Sequence, residues 1–243
     1  MTSPVSFGSS MARSDDGCMT IVLDEACTVA ALEHGLADYA EYKGEVCLEL
    51  SPFPQGHPVF LSDLLGVVIL ALPLSSASSI TFQNVTASRL HLGLDMVVEF
   101  LSGRTTPISC LKIMCLDLVC TPDSLGRFYA LATGDKIGSL QIDTVAFAVN
   151  GLSPAPFMAA AAFIPYVLVA ESPDLFAVVS HLGQPGAKIR HLHFFGLQGP
   201  VQAATRAFLA AMAALPEGGI AFAVCPEFLE GGSDKFNQFM WRA

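Results

Sequence analysis

One short phrase of hydrophobic and polar positions recurs along this chain. It is written apolar–x–apolar–x–x–apolar, and it reads LELSPF from Leu48, ITFQNV from Ile80, LKIMCL from Leu111, LQIDTV from Leu140 and LHFFGL from Leu192. Weaker copies with the same spacing begin at Ile21 (IVLDEA), Val167 (VLVAES) and Ile220 (IAFAVC). Successive starts are 25 to 32 residues apart. Each phrase sets apolar residues two apart, many of them β-branched or aromatic, as a strand buried on one face requires.

Helix-like stretches separate the phrases, at 28–43, 91–102, 122–133, 173–183 and 200–214. Pro58, Pro122, Pro173 and Pro200 stand at or near helix starts, where a missing N–H costs nothing. Gly44, Gly134, Gly183 and Gly218 stand near helix ends, where a left-handed cap residue is expected. The predicted unit is strand, short loop, helix and glycine-containing turn, repeated eight times. The closing stretch SDKFNQFMWRA is a poor helix and reads as a cap. The predicted layout is a flexible segment over 1–17, a repeat domain over 18–230 and a C-terminal cap or tail over 231–243.

Two α/β architectures fit such a series: an open β/α solenoid of about eight strand–helix units, and a closed eight-fold β/α barrel. They differ in which strand faces are dry. Barrel strands pack helices on one side and a filled interior on the other, so they are apolar almost throughout. Solenoid strands bury only the side that faces their helices. The residues between the paired apolar positions are Val22, Glu49, Thr81, Lys112, Gln141, Leu168, His193 and Ala221. Two residues further on, the same face carries Asp24, Ser51, Gln83, Met114, Asp143, Ala170, Phe195 and Ala223. This face is largely polar, which favours the open solenoid.

The phrases resemble the leucine-rich repeat, L-x-x-L-x-L-x-x-N/C-x-L, and the unit length with an outer helix is similar to its ribonuclease-inhibitor-like class. ITFQNVTA, LKIMCLDL and LQIDTVAF also carry the trailing small or apolar position. The resemblance spans roughly residues 20 to 228. It implies a horseshoe whose concave parallel sheet binds another protein. At the family's Asn/Cys position this chain has Ala26, Phe53, Val85, Leu116, Val145, Ser172, Leu197 and Cys225, so the usual asparagine ladder is missing. Similar repeats serve as substrate receptors in ubiquitin ligases, but the short polar N-terminus leaves no room for an adaptor-binding helical domain. A local stretch, residues 19–53, resembles the opening strand–helix–strand of anti-sigma-factor antagonist (STAS) domains. That resemblance implies a phosphorylatable Asp-Ser, and LELSPFPQGHP has the serine without the aspartate.

Composition narrows the function. The chain has 243 residues, 52% hydrophobic and 14% charged, with a net charge of −10. Disorder is excluded, and so is the basic face that nucleic acid or an anionic membrane surface would need. The apolar runs 64–74 and 157–170 are too short to span a bilayer. The seven cysteines form no C-x-x-C and read as buried free thiols of a cytoplasmic protein.

Catalytic signatures are absent: no G-x-S-x-G, P-loop or H-E-x-x-H occurs. His191 and His193 resemble the histidine–x–histidine pair of metal-dependent hydrolase barrels, but there the pair lies on the first strand and here on the seventh. Cys110, Cys115 and Cys120, five apart, do not converge on one metal. No metal or other cofactor is expected. The reading is therefore a protein–protein interaction module with a partner of basic surface. The predicted binding face comprises Asp24, Glu49, Thr81, Gln83, Lys112, Gln141, Asp143 and His193, with Met114, Leu168 and Phe195 as apolar anchors. The enzymatic alternative is a barrel acting on a small polar substrate at the strand C-terminal ends, with Asp24, Glu25, Asp117, Asp143, Glu171 and His193 as acid–base groups. A bare structural spacer would show no preferred patch. Outer helices as apolar as 157–163 would be covered by homodimerisation.

Overall fold

The computed structural model describes residues 11–13, 18–24, 26–37, 43–52, 61–71, 77–104, 106–148, 153–195, 206, 209–210, 212–224 and 239–242. The elements in chain order are β1 (Met11–Arg13), β2 (Cys18–Leu23), α1 (Val29–Ala37), β3 (Glu45–Leu50), α2 (Leu61–Ala71) and β4 (Ser79–Asn84). Then come β5 (His91–Gly93), α3 (Leu94–Ser102), β6 (Cys110–Met114), β7 (Asp117–Val119), α4 (Pro122–Thr133), β8 (Ser139–Asp143) and β9 (Ala146–Ala148). The rest are α5 (Ala155–Ala161), β10 (Tyr166–Ala170), α6 (Pro173–Phe176), a 3-10 turn (Val179–Leu182), β11 (His191–Phe195), β12 (Ile220–Val224) and β13 (Phe239–Arg242).

Eight strands form one parallel array in the order β2-β3-β4-β6-β8-β10-β11-β12. Each pairs with the next strand of the array along the chain, so no connection passes over an intervening strand. The sheet does not close. β1 covers one edge and β13 the other, both antiparallel. This corrects the barrel alternative: β2 and β12 lie at opposite ends of the array instead of pairing. It also corrects the C-terminal reading, since Phe239–Arg242 of the expected poor helix is a strand.

The helices pack on one another in sequence, α1 on α2, α2 on α3, α3 on α4, α4 on α5 and α5 on the 3-10 turn. Packed helices sit about 8–10 Å apart, whereas paired strands sit about 4.8 Å apart. One helix per strand therefore curves the array with the sheet on its inner side. Ile80, Phe82, Leu111, Ile113, Leu140, Ile142, Val167, Val169, Leu192 and Phe194 are buried between the two layers. Burying each such side chain is worth about 1.5–3 kcal/mol. In α3, Leu94, Val97, Val98 and Leu101 line the same side at helical spacing. Ring contacts cross the layers and link neighbouring repeats, as with Phe82 on Phe100 and Phe128 on Phe157 at centroid distances of 5.5 and 4.7 Å.

The register revises the phrase positions. Leu48 pairs with Phe82, and Ile80 pairs with Val46, so the first two phrases begin two residues earlier than the pattern suggested, at Met19 and Val46. The faces are unchanged by an even shift. In the last strand the shift is odd. Ala221 pairs with Leu192 and is buried, while Ile220 pairs with His191 on the other face. Ala221 and Ala223 were expected on the open face and instead occupy the inward register. A second parallel sheet, β5-β7-β9, follows the main strands in three successive repeats. It takes up His91–Gly93, which was expected to open a helix.

Turn chemistry is partly as expected. Thr121 caps α4, Pro122 follows at the first helical position, and a capping box joins Thr121 and Ser124. Pro173 opens α6 in the same way. Gly218 has a positive φ, 80°, but Gly134 and Gly183 do not. Pro58 and Pro200 lie outside the described residues, as do Glu25, Phe53, Leu197 and Cys225. No described helix is long and apolar enough to cross a membrane.

Candidate functional site

Alternation along each strand sends one set of side chains into the helix layer and the other to the open face. Register then orders the second set into rows. One row runs Thr20, Cys47, Thr81, Lys112, Gln141, Leu168, His193. The next runs Val22, Glu49, Gln83, Met114, Asp143, Ala170, Phe195. All the predicted face residues except Asp24 fall in these two adjacent rows, and all are half-buried. Asp24 sits in the bend after β2, where its Oδ1 accepts the Ala26 N–H at 3.0 Å. Sequence reading missed Tyr166 and weighed His191 only as a metal ligand; both begin their strands one residue before the phrase and share the open face.

The face is chemically divided. Over β2 to β8 it is polar, with Glu45, Glu49 and Asp143 set against Lys112. Over β10 and β11 it is aromatic. The Tyr166 ring lies 4.9 Å from His193 and 6.1 Å from His191, and His193 lies 6.4 Å from Phe195. These planes are within about 35° of one another, since the angles are 33°, 34° and 27°. Burial, then the neighbouring His191, holds the His193 imidazole below its ordinary range. Burial, then Cys110, pushes the Tyr166 phenol up. The ring cluster is thus neutral at Tyr166 and His193 near pH 7.

The thiols are poor nucleophiles. Burial, reinforced by Glu49 and Cys18 and opposed by Lys112, pushes Cys47 up to about 11. Burial takes Cys120 up to about 12. Cys115 is also raised, by burial first and then by Asp143 and Glu171 against a Thr144 hydrogen bond. All three stay protonated at neutral pH, and a thiol attacks poorly without its thiolate. None of the six described cysteines lies in a disulfide; only Cys27 is fully buried, and Cys115 is exposed. Among the described residues no three His, Cys, Asp or Glu side chains are placed to hold a metal.

Beyond the strand ends lies a groove of about 360 Å3, between the loop 86–89 and the turns at Cys115, Thr144 and Glu171. Those three residues occupy equivalent positions after β6, β8 and β10, and each has a left-handed φ, of 58°, 52° and 44°. Their N–H groups bond across to Asp143, Ala170 and Phe195 carbonyls. Of the acidic residues invoked for a barrel's catalytic rim, Asp24, Asp117, Asp143 and Glu171 belong to different repeats here. Asp117, on β7, is buried and held by Arg89 at 3.2 Å and His91 at 3.6 Å.

Next to this groove stands Ser172, at the family's Asn/Cys position. It is fully buried; its Oγ accepts the Val145 N–H at 3.1 Å and donates to the Ala170 carbonyl at 2.7 Å. Asp174 likewise accepts the Phe147 N–H at 3.2 Å. Side chains of one repeat thus satisfy the backbone of the repeat before it. Compared with models of known protein families, with curated proteins and with solved structures, the chain gives no match.

Proposed function

We propose that this chain is a protein-binding scaffold of leucine-rich-repeat type, and that a partner with a basic surface docks on its open sheet face. One observation carries the reading: a parallel sheet of eight strands keeps one face free of its own helices and lines it with half-buried polar and aromatic side chains. A face of this kind offers ordered rows of side chains to an extended or convex partner. The scarcity of reactive groups on it agrees with binding. The free thiols agree with a cytoplasmic, reducing setting.

Charge selects the partner. The chain carries −10 overall; Glu49 and Asp143 lie along the face, and Asp24 stands in the bend at the end of β2. Two copies joined through this face would set like charges together. A basic partner meets the complementary field and is steered to it.

The test is a random peptide library selected against the immobilised full chain. Selected peptides should be rich in Lys and Arg. Their affinity should fall by about tenfold or more, some 1.4 kcal/mol, when Asp24→Lys, Glu49→Lys and Asp143→Lys are combined. Glu33→Lys, on the exposed side of α1, should leave it unchanged. Peptides indifferent to the triple reversal would overturn the reading.

A further inference from the structure

The groove beyond the strand ends shares none of its lining residues with the two rows of the open face. It therefore carries an inference that does not depend on docking at that face. We propose that the groove seats a lysine side chain presented by an extended peptide. The aliphatic stem lies over Leu116, Val145 and Ala146, the ammonium meets Glu171, and the peptide carbonyl meets Arg89.

The seat is open and preformed. Its volume, about 360 Å3, falls within the roughly 300–1,000 Å3 of small-ligand sites. Asn84 fixes one wall. Its Nδ2 donates to the Ser88 carbonyl at 2.8 Å, and its Oδ1 accepts the Thr86 N–H at 3.0 Å and hydroxyl at 2.8 Å. The other wall is held by the N–H bonds of Cys115, Thr144 and Glu171 to the next strand. Leu116 and Val145 are buried and Ala146 is half-buried, so the groove between the walls has an apolar floor.

Charge defines what lies on that floor. Glu171 is exposed and makes no ion pair among the described residues. Glu171 and Asp143 both act on the Cys115 thiol, so the two carboxylates share one wall. Arg89 differs: its Nε is 3.2 Å from the buried Asp117, which cancels its charge, while its side chain stays 77% exposed. Its terminal N–H groups are thus donors for a neutral carbonyl. An anion would meet Glu171 and the acidity of the whole chain. Asp117 and Glu171 belong to repeats two strand spacings apart, about 10 Å. A four-carbon stem with its peptide unit bridges such a gap and covers apolar surface on the way. Arginine gains over lysine chiefly by stacking on rings or by bidentate pairing. No aromatic side chain occurs among the described residues that line the groove.

Nα-acetyl-lysine-N-methylamide is the probe, titrated into the 15N-labelled full chain. Amide resonances of Cys115, Thr144 and Ala146 should shift and saturate. The norleucine analogue, which has the stem without the ammonium, should bind about threefold to fivefold more weakly, the upper range for an exposed ion pair. Glu171→Gln should weaken the lysine probe by the same factor and leave the norleucine analogue unchanged. Ala146→Met fills the groove and should remove the shifts at Cys115 and Thr144 for both. Equal binding of the two probes by the unaltered chain would overturn the inference, as would lysine binding indifferent to Glu171→Gln or to Ala146→Met. Absence of any saturable shift would overturn it as well. Shifts confined to open-face residues such as Glu49 and Gln141 would overturn the groove while leaving the open-face reading standing.

Discussion

Ser172 shows how much one side chain can do in a repeat. Its hydroxyl is fully buried and satisfies two backbone groups, one of them in the preceding repeat. Ser172→Ala leaves the Val145 N–H and its neighbour's carbonyl without that partner, and a buried group left unmade costs about 1–3 kcal/mol. The urea midpoint should fall by that free energy divided by the m-value, with the m-value itself unchanged; an unchanged midpoint would mean that the backbone finds another partner. Ser172 was placed by the sequence pattern at the repeat's Asn/Cys position. Asp24 and Ser51 were not, because the correct register moves them into the equivalent position. The alternation MTIVL and VCLEL has three inward apolar residues in a row, so a slip of two leaves the pattern intact. His193 adds a pH-dependent contribution. Its folded-state value lies below the ordinary 6.5, through burial and then His191. Its contribution to stability is therefore complete above 6.5 and lost as the pH falls through the folded value, because the unfolded chain binds the proton more readily. Urea titrations at stepped pH should show this decline, and His193→Phe should reduce it. A decline of the same size in the variant would assign it to other groups.

At the scale of elements, the patterns were read correctly where local signals are strong and misread where pairing between repeats decides. The stretch 122–133 carries its own start signals, Thr121 and Pro122, and folds as expected. Its end does not follow the glycine. The left-handed residue is Asp135, with φ 57°, and the N–H groups of Asp135 and Lys136 turn back to Ala132 and Leu131. Asp135 is held there by Lys188, whose Nζ lies 2.6 Å from its carboxylate and also donates to the Thr133 carbonyl at 3.0 Å. A contact from a residue 53 positions away thus joins a left-handed position that aspartate itself tolerates. The short strands β5, β7 and β9 escaped notice for a related reason. HLG, DLV and AFA are too brief for a period to form, and their pairing exists only once the repeats are stacked. In β12 the alanines, not the larger residues, take the inward register, so ranking positions by hydrophobicity chose the wrong parity.

For the whole molecule, the decisive property is that the sheet stays open. The polar residues at alternate positions already indicated a single wet face, which a filled barrel interior would not supply. Register extends that into a distance. Between β2 and β12 lie seven strand spacings, about 34 Å measured along the sheet. Curvature toward the open face shortens the straight line but cannot bring edges together that β1 and β13 already cover. Spin labels attached through ketone-bearing residues at Thr20 and Ile220, which share that face and spare the native cysteines, should therefore report a separation beyond about 20 Å, several strand spacings. A value near one spacing would mean that the ends pair and the face is an enclosed interior, which no folded partner could reach. The same labels bear on binding. A partner spread over several rows bridges strands that are otherwise linked only through their neighbours, and should narrow the distance distribution.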